Sequence, residues 1–125
     1  MPSPIVTAPN GENATSGKKL NLVATADLTA AATGCQWIVL GVDASFSGTV
    51  APRYVELVQT PGAGEVVLWS GYTDANGRVN KDWRDAPIPG GLQKQIVARA
   101  EASGDAAIYG VVNVYGFERR IRLRT

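Results

Sequence analysis

The chain of 125 residues contains no histidine, one cysteine and one methionine. Without histidine there is no Ser-His-Asp triad, no Cys-His pair and no histidine-liganded zinc or iron site. The single Cys35 permits no intrachain disulfide and cannot furnish a cysteine-type zinc or iron–sulfur centre. It stands before Trp37 in an apolar stretch and reads as a buried structural thiol, which fits a reducing site of synthesis. There is no GxxxxGK[ST] loop and no strand-linked GxGxxG, so nucleotide binding has no motif behind it, and no cofactor is expected. No stretch approaches the ~18–20 apolar residues of a membrane-spanning helix. The first residues, MPSPIVTAPNGENATSGKK, lack the basic and apolar regions of a signal peptide, so the expectation is a soluble protein made in the cytoplasm, without a membrane partner. Asn13-Ala14-Thr15 matches a glycosylation sequon but, without such a signal, reads as chance.

Charge is also sparse. Charged residues make up 18% of the chain, which suggests that part of the surface is covered by something else. The formal net charge of +1 hides an asymmetry: residues 1–118 carry 8 basic and 11 acidic residues, whereas residues 119–125 hold four arginines and no acid. The body is mildly acidic and the end basic, which suits either nucleic acid or the acidic body of a neighbouring copy.

What is present is period-two patterning. Residues 1–19 show none: three prolines, two glycines and small polar residues, with Ile5-Val6 the one apolar pair, predict an extended N-terminal arm. From Leu20 onward, LNLVATADLTA, CQWIVLGVDASFSG, RYVELVQ and EVVLWSGYT read as strands rich in β-branched and aromatic residues. They are separated by turn chemistry in SGTVAP, TPGAGE, DANG, PIPGG and SGD, with Asn76-Gly77 suited to a tight turn. The one helix-like composition, LQKQIVARAEA, alternates every two residues between glycine-bearing turns and is read as strand. Seven or eight short strands over residues 20–125, with no helices, predict an all-β domain, a two-sheet sandwich or a barrel.

Candidate sites are few. Asp74, Asp82 and Asp85 lie near Trp69, Tyr72 and Trp83, an acid and aromatic mixture found in sugar sites, against the plainer reading of turn and surface acids. Asp74 to Asp85 superficially matches a calcium-loop spacing, but the glycine is misplaced, Arg78 occupies a ligand position and no helices flank it, so no metal is expected. Tyr109, Tyr115 and Phe117 ahead of the arginines argue for single-stranded nucleic acid, while the acidic body argues against it. In AIYGVVNVYGFERRIRLRT both faces are apolar up to Tyr115. After Gly116, Arg120, Arg122 and Arg124 share one face and Ile121 and Leu123 the other, so the arginines read as one side of an ordered strand, with Gly116 as a bulge or bend.

Pro87-Ile88-Pro89-Gly90-Gly91-Leu92, the small-residue strand through Ala102, Ser103-Gly104 and the closing GVVNVYG resemble the small β-sandwich or jelly-roll virion proteins of tailed bacteriophages. The likeness spans roughly residues 35–117. It implies a single antiparallel, jelly-roll-like sandwich and a non-enzymatic structural role, a capsid decoration (cement) protein or a neck or tail component on the virion. The implied partners are the major capsid protein and copies of the chain itself, often as a trimer, with nucleic acid disfavoured. Docking would use the arm residues Pro2, Pro4, Ile5 and Val6, through strand addition, together with Arg120, Arg122 and Arg124. The competing expectation is a carbohydrate- or receptor-binding module using Trp69, Tyr72 and Trp83.

Overall fold

The computed structural model describes residues 11–121, and all of its regular structure is β. The strands are β1 (Gly11–Thr15), β2 (Lys19–Leu20), β3 (Ala24–Ala30), β4 (Cys35–Phe46), β5 (Tyr54–Gln59), β6 (Val66–Tyr72), β7 (Arg78–Asp82), β8 (Ile88–Pro89), β9 (Gln95–Ala100) and β10 (Tyr109–Arg120). One sheet runs β1-β10-β4-β7, with β2 also on β10 and β8 also on β4; the other runs β3-β9-β5-β6. Apart from the two-residue β2 and β8, the first strand pairs with the last, β1 with β10. Moving inward, β3 pairs with β9, β4 with β7 and β5 with β6, all antiparallel. This is one long hairpin rolled upon itself, closed where β10 meets β4 and β9 meets β5. The fold is a jelly-roll sandwich, which decides between sandwich and barrel.

Alternation builds the core. In β3, Ala24, Ala26 and Leu28 are buried while Thr25 and Asp27 face out. The six-stranded sheet contributes Trp37, Val39, Val42, Val112 and Val114, and the other sheet answers with Ala24, Ala26, Ala98, Ala100, Leu57 and Ile96. Large side chains on one sheet thus meet many small ones on the other, the interdigitation that close packing requires. Trp37 also ties the sheets with a polar bond, its Nε1–H donating to the Thr29 carbonyl at 3.0 Å.

Gly116 marks a bulge, as the sequence suggests. The register slips between Tyr115 and Gly116, leaving Leu40 of β4 as the extra residue. A side chain at Gly116 would collide with the Ile38 carbonyl, so close approach of backbone demands glycine here. The tight turn also forms as expected, with Gly77 at φ 74°. Two expectations change. The arm predicted over 1–19 is in part sandwich, because Gly11–Thr15 is an edge strand on β10 and Lys19–Leu20 a short ladder on its other end. Cys35 is free but only half-buried, since it opens β4 at the rim and not in the core.

Candidate functional site

The three aromatics predicted to form a sugar site do not converge. Trp69 of β6 points inward and meets Trp83, which follows β7, edge to face with centroids 5.5 Å apart. The pair packs against the core and closes the sandwich where β6 and β7 lie at the margins of their sheets. Tyr72 lies on the opposite face of β6, 64% exposed, and packs edge to face on Tyr54 at 5.5 Å. The cause is simple geometry: residues three apart in a strand face opposite ways.

Two of the three acids of that stretch are also occupied, while Asp85 is exposed. The Asp74 carboxylate accepts from the backbone N–H of Asn76 and Arg78, at 2.8 and 3.1 Å, and so holds its own turn. Asp82 is gripped by the Arg84 guanidinium, whose hydrogen bonds pull its pKa down to about 2. Among the described residues no group of three His, Cys, Asp or Glu side chains could hold a metal ion.

The outer face of the four-stranded sheet carries a different arrangement. Arg99 of β9 lies across Glu56 of β5 and reaches Glu65, just before β6, at 2.8 Å. Burial works against the Arg99 charge, but the two carboxylates outweigh it and raise its pKa. In turn, the Arg99 hydrogen bond, followed by one from the Gly62 N–H, holds Glu65 below its ordinary 4.5. Beside this triad a shallow groove of about 290 Å³ is lined by Val23, Tyr54, Glu56, Arg99, Ala100 and Glu101. Glu101 is itself paired with Arg53 at 3.1 Å. Tyr54 and Arg99 were not singled out from the sequence. Their strand alternation was visible, but the cross-strand register that joins Tyr54 to Tyr72 and Arg99 to Glu56 was not.

The basic end assembles at one end of the sandwich. Gly11 is paired with Phe117, and the Ile121 N–H donates to the Gly34 carbonyl at 2.8 Å, so both chain ends leave the six-stranded sheet side by side. There the Glu118 carboxylate accepts from Ala32 N–H at 2.6 Å, and Arg119 donates to the Gln36 Oε1 at 2.9 Å. Arg120 is exposed, pairs in register with Cys35 and makes no ion pair among the described residues. The even positions that carry Glu118 and Arg120 continue the face of Val112 and Val114, so these charges sit where the interior side runs out past the rim. Pro2, Pro4, Ile5, Val6, Arg122 and Arg124 lie outside the described residues.

No family model and no curated protein matches the chain. Among solved structures, one described as "CBM4 structure and function" aligns at 12% identity and a TM-score of 0.38, over 87% of this chain and 94% of that one. A likeness of that depth is too slight to bear on ligand or activity.

Proposed function

We propose that this chain is a non-enzymatic structural protein of a tailed-phage particle, a decoration protein that grips the assembled capsid at the end of the sandwich where its two chain ends emerge. The observation that carries this reading is the adjacency of those ends. Gly11 pairs with Phe117, so the segments before Gly11 and after Ile121 start from neighbouring strands. Ten residues span at most about 33–36 Å, enough to cross onto an adjoining subunit. Exposed Leu92 lies in the β8–β9 loop, whose Gln93 binds the Gly34 loop at this same end, so apolar and cationic groups are offered together. Repetition of the contact over a symmetric shell makes weak single attachments firm.

Co-sedimentation with assembled capsids and with unassembled capsid protein tests it. Preferential binding to the assembled shell is expected, and the triple change Arg120→Ser, Arg122→Ser, Arg124→Ser should weaken attachment while thermal unfolding stays the same. Equal binding to both forms, or undiminished attachment of the triple variant, would remove the proposal's basis.

A second reading rests on the exposed Tyr72 beside Tyr54 and the 290 Å³ groove, which offer an aromatic ring next to carboxylates and a guanidinium, the groups that meet a sugar's faces and hydroxyls. Binding of the full chain to a glycan array, lost on Tyr72→Ala, would favour this reading over the first.

A further inference from the structure

Among the described residues the two sheets have four edges, formed by β1 with β2 and by β7 with β8 on one sheet, and by β3 and by β6 on the other. An open edge presents unpaired N–H and C=O groups, and proteins ordinarily protect it with charge, proline, bulges or shortness. Three of these edges are protected. β1 is five residues long and is followed on its edge by the two-residue β2; β7, RVNKD, has three charged residues in five and shares its edge with the two-residue β8, which holds Pro89. β3 carries Asp27, and its ladder breaks between Asp27 and Ala30, where Thr29 takes φ 63°. β6 differs: VVLWSGY is seven residues long, without charge or proline, and leaves Val66 48%, Val67 50% and Tyr72 64% exposed. Its bulge, opposite the Leu57/Val58 step, leaves Trp69–Tyr72 as the straight run.

We infer that β6 is an interface between two copies of this chain, paired antiparallel with its own counterpart about a twofold axis near Ser70. The partner follows from the edges themselves. An uncharged edge laid against β7 would desolvate Arg78, Lys81 and Asp82, and laid against β3 it would meet a broken ladder. The edge that matches β6 in charge and regularity is β6. Pairing of like with like is also isologous and closes at two copies, whereas β6 on any other edge would be heterologous and build a larger ring or an open filament. The two four-stranded sheets would join into one of eight, with main-chain hydrogen bonds supplying the affinity. This inference stands apart from capsid docking, which uses the chain ends.

The test uses the full chain in sedimentation equilibrium over a concentration series. A reversible monomer–dimer equilibrium is expected for the natural sequence. Ser70→Lys sets two like charges face to face across the axis and should weaken the dimer by roughly tenfold or more, while leaving the melting temperature unchanged at concentrations low enough for both chains to be monomeric. Ser70→Cys in a chain with Cys35→Ser should form a disulfide-linked dimer under mild oxidation, and Asn80→Cys on β7 should not. Three outcomes overturn the inference: a natural chain that stays monomeric with no Ser70→Cys cross-link; a dimer indifferent to Ser70→Lys; or association lost on removal of residues 1–10 but kept in Ser70→Lys, which would assign the contact to a neighbour's arm. Capsid attachment enters none of these readouts.

Discussion

The two sheets of this jelly roll are held by opposite means. The six-stranded sheet relies on close approach: Gly116 leaves room for the Ile38 carbonyl, Gly41 lies beneath the Tyr115 ring, and Gly110 faces Phe46. Trp37 and a row of valines fill its inner side. The four-stranded sheet is lined inside with alanines and covered outside by the Glu56–Arg99–Glu65 network. One sheet is fitted so closely at these glycines that an added methyl group meets backbone or ring, and the other keeps a polar cover that responds to pH.

The sharpest way to break this contrast is Trp37→Ala, which empties the largest fully buried site and strands the Thr29 carbonyl. Chemical denaturation should register a loss of about 3–5 kcal/mol. Next comes Gly116→Ala, one methyl group driven at a neighbouring backbone carbonyl. It should cost about 1–3 kcal/mol by the same measurement, although alanine is the better strand former in isolation. The smallest effect belongs to the other sheet. The pKa of Glu65 is lower folded than unfolded, so its contribution is complete above the ordinary 4.5 and disappears as pH falls through the folded value. Glu65→Gln should therefore flatten the decline of stability with acid below about pH 4.5 and change stability at neutral pH little, because Arg99 keeps its second carboxylate partner, Glu56. If Glu65→Gln proved as costly as Trp37→Ala, the distinction between the sheets would fail.

The sequence made the strands legible because burial is one-sided, and one-sided burial writes itself as alternation: β3 and the second half of β4 show it, and β9 shows it except at Val97, which is buried on the outer side. It also revealed the Gly116 irregularity, since the character of the even positions changes there. β1 was hidden. GENAT packs Ala14 against the core and becomes a strand through its ladder to β10, a partner about a hundred residues away. The trio Trp69, Tyr72 and Trp83 is split between two faces for a reason the sequence did contain, the odd spacing of Trp69 and Tyr72. No spacing could have disclosed that Arg99 bridges two acids from separate segments, because register between distant segments is set only when the hairpin rolls up.

The neighbouring exit of the two chain ends also has a mechanical meaning. Force that pulls Gly11 away from Ile121 acts across the β1–β10 ladder at its open end, so its hydrogen bonds break one after another like a zip. Had the ends left from opposite ends of the ladder, the same bonds would have shared the load in shear. A protein anchored by both ends to one surface is spared that opening force, and pulled apart by its ends it surrenders β1 first.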